Sequence, residues 1–321
     1  MRLFNLVGLS ILGVSAHVQL GNLQDEPFLR QMVEDLTLVH KAMNFTEVGE
    51  ELGGLGYASS DLHPAETALV RRMVRFSAAA YCPDLTLKQW ICTHCRALSG
   101  TELVAVVSHP STDGKGYVAL DRTLKSIVVA FRGSYNIRNW ITNINIKLKE
   151  LDVGDGTRGL KAHTGFSNHA AAMSRKMIPI IRPLLAKYKK YTLAVTGHSL
   201  GAAVATLASI DFKKEFDLPW SAISLITYGE PRIGNPAFAS WYNAHNPAHL
   251  RIVNNRDMVP HLPTNSMGYL HRKREGFLKN RAMHSCDSAE MEDASCSLSS
   301  IPFLSVTDHL FYLDITFGLI C

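Results

Sequence analysis

A short buried strand that runs into a tight serine turn and leaves as an Ala-rich helix limits the architecture of this chain more than any other stretch. Tyr191 to Thr196, YTLAVT, has the apolar, β-branched make-up of a core strand. Gly197-His198-Ser199-Leu200-Gly201 follows at once, and a helical pattern then runs from Leu200 to about Phe212. A strand continued so abruptly by a helix is half of a βα unit, whose next strand lies parallel to the first. The same five residues fit G-x-S-x-G. That pattern alone is weak, and an ordinary tight turn is the plainer reading, but a strand before it and a helix after it are the context that gives it chemistry. Small flanking residues let the serine hydroxyl stand clear of the sheet. The N–H of Leu200, in the first turn of the helix, points to where an oxyanion would form. Ser199 is thus the candidate nucleophile and Leu200 a candidate oxyanion donor.

The rest of the chain repeats the alternation. Leu103 to Val107, Gly116 to Leu120, Ser126 to Phe131, Ala222 to Tyr228 and Leu250 to Val253 read as strands. His63 to Tyr81 has helical spacing, with Pro64 near its start, and Arg71-Arg72 inside it reads as a solvated face rather than a processing site. Phe166 to Tyr188 reads as a long helix in which Pro179 and Pro183 predict a kink or a break. Strands alternating with helices predict a mostly parallel sheet covered on both faces. No linker or repeat divides residues 61–321, so one domain is expected.

A serine hydroxyl needs a base, and in a sheet of this kind the chain order is serine, acid, histidine. The base should sit on a loop after the last strand. Among His245, His249, His261, His271, His284 and His309, the last fits best, and the others read as surface or locally hydrogen-bonded groups. The acid should follow a parallel strand, which selects Asp257 after Leu250 to Val253. Asp308 is too close to His309 in sequence to turn onto its ring, and Asp287 and Asp293 read as solvated. After the strand ending at Phe131 comes Arg132-Gly133-Ser134, where Ser134 can supply a second oxyanion donor. Ile137, Trp140, Ile141 and Ile144 then recur at i, i+3, i+4 and i+7, the stripe of a short amphipathic helix. Its place beside the oxyanion residue predicts a movable lid with an apolar inner face.

Met1-Arg2, the apolar run Leu3 to Val14 and Val14-Ser15-Ala16 read as a signal peptide spanning 1–16, too short for a membrane span. Residues 17–60 hold seven acids and two bases and read as a pro-segment, carrying the sequon Asn44-Phe45-Thr46; a plain disordered tail is the alternative. Taking these and Arg2 from the 33 basic and 28 acidic residues leaves the body with 30 and 21, a net of +9. An acidic leader suits docking on a basic body. The bases are scattered without aromatic interleaving, which argues against nucleic acid and for a basic surface attracted to anionic interfaces. Cys82, Cys92, Cys95, Cys286, Cys296 and Cys321 form an even set behind a signal peptide, which implies disulfides, with fifteen pairings open. A secreted, extracellular protein is expected, and a monomer is the default.

Several segments together resemble the fungal class 3 lipases, in the Rhizomucor miehei type of triacylglycerol lipase. They are Tyr81-Cys82, Trp90 to Cys95, FRGSYNIRNW, AHTGF, AVTGHSLGAA, GEPRIGNPAFA, NNRDMVPHLP and the tail from Cys296 to Cys321. The resemblance implies an α/β-hydrolase fold, a triad of Ser199, Asp257 and His309, and oxyanion donors Ser134 and Leu200. It puts Trp140 on the lid, pairs Cys82 with Cys321, Cys92 with Cys95 and Cys286 with Cys296, and implies a cleaved pro-segment and no metal or organic cofactor. Tyr135 and Asn136 stand where the family has smaller hinge residues, and Lys147 to Leu160 matches it poorly. The substrate implied is a lipid ester at an oil–water interface. GEPRIGNPAFA suits feruloyl esterases equally well, but NIRNWI is less polar than their lids. A general carboxylesterase, a phospholipase and a secreted lipid-binding protein without turnover are the remaining alternatives.

Overall fold

The computed structural model describes residues 59–321 apart from 247, 281, 287–290 and 319–320. The expected signal peptide, almost all of the expected pro-segment and Asp287 lie outside the described residues.

In chain order the elements that frame the site are β1 (Ser59–Ser60), α1 (Pro64–Ala79), α2 (Asp84–Lys88), α3 (Thr93–Arg96), β2 (Thr101–His109), β3 (Gly114–Asp121), β4 (Ser126–Phe131), α4 (Ile137–Asn143), β5 (Leu148–Glu150), β6 (Lys161–His163), α5 (Thr164–Lys187), β7 (Thr192–His198), α6 (Leu200–Phe216), β8 (Ile223–Tyr228), α7 (Pro236–His245), β9 (His249–Asn254), β10 (Glu275–Lys279), β11 (Ala282–Cys286), β12 (Phe311–Tyr312) and β13 (Ile315–Thr316). Nine strands form one sheet in the order β1-β11-β10-β9-β8-β7-β4-β3-β2. Its centre, β4-β7-β8-β9-β10, is parallel, while β2, β3 and β11 join as antiparallel edges.

Strand alternation divides the core between two faces. In β4, Ile127, Val129 and Phe131 pack with residues of α5 and α6 on one side, while Val128 and Ala130 pack with α1 on the other. The α1 face is also stitched by polar groups: Ser77 and Thr196 share a hydrogen bond of 2.7 Å, and Tyr117 donates to Phe76 O. In α6, Gly201, Ala202, Ala203 and Ala205 are all buried, so small side chains let the helix lie close on the sheet. The chain is therefore an α/β fold with helices on both faces.

Two local expectations change. The helix from Thr164 runs unbroken through Pro179 and Pro183. The prolines are four apart, so both fall on the solvent side, and the carbonyls of Arg175 and Pro179 that lose helical donors belong to exposed residues that water can reach. Arg72 is not solvated: its guanidinium meets Asp121 at 2.6 and 2.9 Å and donates to Ser99 O, fixing α1 to β3. Disulfides join Cys82 to Cys321, Cys92 to Cys95 and Cys286 to Cys296. The first ties the turn after α1 to the chain's last residue and holds the C-terminal segment beside the sheet.

Candidate active site

The serine turn is built by steric necessity. Ser199 has φ 60° and ψ −131°, a conformation that strains a residue with a Cβ by about 1–3 kcal/mol. Its N–H donates to Tyr228 O at 2.9 Å, and its own carbonyl accepts from Ala202 N at 2.9 Å. A Cβ on Gly197 would approach Ala202 N to 2.8 Å, and one on Gly201 would approach the Arg132 carbonyl carbon to 2.7 Å. Both glycines are thus demanded by the close passage of β7, α6 and the end of β4. The hydroxyl of Ser199 is buried and makes no hydrogen bond. Leu200 opens α6, where first-turn N–H groups have no partner within the helix.

Asp257 and His309 come together from separate loops. Met258 N donates to Ser305 O and Ser305 N to Arg256 O, so the two loops are paired like strands. His309 Nδ1 lies 2.8 and 3.0 Å from the two Asp257 oxygens. The carboxylate can only accept, so Nδ1 carries the proton and Nε2 presents a lone pair. Val259 N and the Tyr312 hydroxyl also donate to Asp257. Nε2 of His309 is buried without a partner, as is Ser199 Oγ. Asp257 and His309 meet across Gly229, which follows Tyr228: a Cβ there would sit 2.8 Å from His309 Nδ1, His309 Cε1 and Asp257 Oδ2. No hydrogen bond joins Ser199 to His309, a contact that commonly tightens only when substrate is present. Asp308 turns away and accepts from Arg256 N at 3.1 Å, its carboxyl raised by burial.

Four residues at the site escaped the sequence reading. His198, read only as the variable position of the motif, spans two partners: Nδ1 lies 2.8 Å from the Tyr81 hydroxyl and Nε2 2.7 Å from His309 O. The carbonyl requires Nε2 to donate, so Nδ1 accepts from Tyr81. Burial, reinforced by the adjacent His309, holds His198 well below the usual histidine range, and its ring stacks on Phe317 at 3.8 Å. Burial also pushes the Tyr81 and Tyr312 hydroxyls up, so both remain proton donors. Gly229, with φ 56°, leaves the room in which the Asp257–His309 pair sits. Tyr81, His198 and Gly229 lie in segments that carry the family resemblance and Tyr312 three residues after His309, which cues their place but not their roles.

Ser134 is half-buried beside the serine turn; a Cβ on its neighbour Gly133 would lie 3.0 Å from Ser199 Cβ. The next helix, α4, is capped by Asn136, whose side chain accepts from Asn139 N. Ile137 and Ile141 are buried against Met258, Val259, Leu262, Leu304 and Val306, and Trp140 is half-buried and stacked on Phe166 at 6.1 Å. The apolar stripe therefore faces inward, onto the loops that carry Asp257 and His309.

Beneath the Asp257 loop lies a layer of buried ion pairs. Arg232 donates through Nε and Nη2 to Glu292 at 2.7 Å each, and through Nη1 to His261 O and Pro263 O. Burial alone would raise Glu292, but the Arg232 bonds and charge outweigh it and hold its carboxyl at about 2. His249 and His271 bond to backbone carbonyls, His245 to Trp241 O and His284 to Asp61. His261 departs from the expectation: it is buried, neither ring nitrogen has a partner, and burial lowers it to about 4. One group of potential metal-ligating atoms converges among the described residues, Glu275, Cys286 and Cys296. Its sulfurs are bonded to each other and Glu275 is held by Arg251 and Ser297, which makes it a structural joint.

The family model described as "Lipase (class 3)" matches residues 128–267, which include the serine turn and Asp257. A lipase of Rhizomucor miehei is 35% identical over 250 residues, covering 76% of this chain and 67% of the relative. A lipase of Rhizopus niveus is 33% identical over 262 residues, covering 79% and 66%. This chain thus spans about two-thirds of the length of each. The solved Rhizomucor miehei triacylglyceride lipase superposes with a TM-score of 0.75 at 33% identity, covering 80% of this chain and 98% of that one. At 35% identity to a relative of which it covers 67%, with the family model matching the segment from β4 through the Asp257 loop, the chain belongs to the class 3 lipase family.

Proposed function

We propose that this chain is a secreted lipase that hydrolyses carboxylic esters of glycerides through a covalent acyl-enzyme. The observation that carries the reading is the pair of buried, unpartnered atoms, Ser199 Oγ and His309 Nε2, with Nδ1 already committed to Asp257. The Ser199 oxygen bonds to the ester carbonyl carbon as its proton passes to His309 Nε2. The imidazolium so formed faces the Asp257 carboxylate. The N–H groups of Ser134 and Leu200 receive the oxyanion. Collapse of the tetrahedral species expels the alcohol, which takes the proton from Nε2. Water then adds with the same base, releasing the fatty acid and restoring Ser199. The helix α4 acts as a lid whose apolar face turns to the lipid surface on opening. Three disulfides suit an oxidising, extracellular compartment, and no helix of the described residues is long and apolar enough to cross a membrane.

The test is hydrolysis of an emulsified long-chain triglyceride by wild type and Ser199→Ala, beside an acyl-length series, a phospholipid and methyl ferulate. A wild-type rate that jumps at the substrate's solubility limit and vanishes in Ser199→Ala supports the reading. Equal rates in the two proteins would refute the nucleophile. Turnover of methyl ferulate or dissolved esters without a jump would favour the esterase alternative, and lipid binding without turnover the non-enzymatic one.

A further inference from the structure

We infer that Arg132 is a positioning residue that aims the Ser134 oxyanion donor by gripping the opposite edge of the same peptide group. The inference rests on the proposed role of Ser134. In a planar trans peptide the carbonyl and the N–H point in opposite directions, so fixing one aims the other. The Ser134 N–H belongs to the peptide whose oxygen is Gly133 O. Arg132 Nε donates to that oxygen at 3.2 Å. Gly133 itself lies close against the Tyr81 hydroxyl, with which a Cβ there would collide and which donates to His198. Gly133 is therefore gripped at its carbonyl and packed closely on Tyr81 and His198, and the N–H of Ser134 is directed away from the guanidinium.

The grip is itself braced. Arg132 is buried, and its Nη2 donates to Asp113 O and lies 2.8 Å from Asp113 Oδ1. The guanidinium carbon sits 4.1 Å over the ring of Tyr135, whose hydroxyl donates to Tyr81 O at 3.2 Å. Tyr135, itself 59% exposed, thus braces the arginine from the solvent side and ties it to the turn after α1. A cation over an aromatic face is attracted by the ring's negative quadrupole, the more strongly where water is excluded. The positive charge at Gly133 O also polarises the peptide toward a stronger N–H donor, which matters most when the substrate oxygen carries full negative charge. Because α4 begins only at Ile137, the braced peptide stays in place whether or not that helix moves.

The test uses Arg132→Gln, Arg132→Lys and Asp113→Asn on a dissolved short-chain ester, with rates expressed per site titrated by a fluorophosphonate. The titration separates a mispositioned donor from an unfolded protein. Arg132→Gln is expected to keep a titratable Ser199 and a KM within about twofold, while kcat falls roughly 30-fold, part of the 10²–10³ lost when an oxyanion donor is removed outright. The inhibition constant of a trifluoromethyl ketone, whose adduct bears the oxyanion, should rise by the same factor. Arg132→Lys keeps the charge without the Nε geometry and should fall between the two. Asp113→Asn removes only an exposed brace and should change kcat by a few-fold at most. Unchanged kcat per site in Arg132→Gln, or a loss carried by KM with no change in ketone binding, would overturn the inference. A wild-type chain that titrates but turns over no ester would instead overturn the proposed function beneath it.

Discussion

The floor of the site and the helix above it are held by different forces. On the floor, Asp257 accepts from His309, Val259 N and Tyr312, His198 bridges Tyr81 and His309 O, and Arg232 clamps the loop between His261 and Pro263. Almost every one of these groups is buried, so each bond is directional and expensive to leave unmade. The covering helix, α4, is only seven residues long and rests on the floor through Ile137, Ile141 and Trp140. Apolar contact of that kind has no fixed direction, and an oil surface can replace it. A polar floor is suited to keep its geometry, and an apolar cover is suited to leave.

Floor variants are expected to lower turnover and never to raise it. The largest effect is expected for Asp257→Asn. The amide can donate to Nδ1 and stabilise the wrong tautomer, so kcat per folded site should fall by roughly 10³–10⁴ with KM little changed. Steady-state kinetics on a dissolved ester checks this, and a loss under tenfold would mean that Asp257 does not orient the base. Next is Gly229→Ala. Its Cβ would meet the Asp257–His309 pair at 2.8 Å in a backbone conformation with φ 56° that disfavours alanine. Both side chains must shift, and a displacement near 1 Å costs on the order of 100-fold in rate. A variant with wild-type kcat would show that the floor is softer than its hydrogen bonds suggest.

Acid should attack the floor before the cover. His261 is buried with its ionisation lowered to about 4, against an ordinary value of 6.5. Between those values the unfolded chain binds the proton and the folded chain does not. Stability from this group is therefore complete above the unfolded value and is lost as pH falls from about 6.5 toward 4. At pH 5 the loss is about 2 kcal/mol, or roughly 30-fold in the folding equilibrium. Replacement by Gln, which cannot be protonated, should flatten the fall in melting temperature between pH 7 and pH 5. An equally steep fall in His261→Gln would assign the acid sensitivity to His163, His169 and His249, which burial also lowers.

Local pattern made the sheet readable. The range expected from the pattern, Ser126 to Phe131, coincides with β4 because a core strand buried on both faces is a continuous apolar run with polar residues at its ends, and Thr192–His198 and Ile223–Tyr228 lie within a residue or two of expectation. Ser199, Asp257 and His309 could be singled out because each follows a strand or ends a loop in a fixed chain order. Their supports could not. His198, Tyr81 and Arg132 act through contacts between residues distant in sequence or through backbone atoms, and neither leaves a period or a motif. Arg72 and His261 misled for the same reason: charge and polarity predict exposure unless a partner or a fold encloses them. The prolines of α5 do not break it, because the carbonyls they leave without helical donors face solvent.

The smallest expected change has the opposite sign, and it tests the cover directly. Ile137→Ser and Ile141→Ser each remove an apolar side chain that packs on Met258, Val259, Leu262, Leu304 and Val306. Full burial of such a side chain stabilises the covered state by about 1.5–3 kcal/mol relative to exposure. Losing part of it shifts the population toward the uncovered state, so the rate on a dissolved short-chain ester should rise about three- to tenfold in either variant. The same substitutions weaken contact with oil, so the rate on an emulsion should fall and the jump at the solubility limit should shrink. A drop on both substrates would mean that α4 is part of the floor, positioning the Asp257 and His309 loops. A rise on the dissolved ester alone is reserved for a cover that leaves, because no loosened hydrogen bond on the floor can increase turnover.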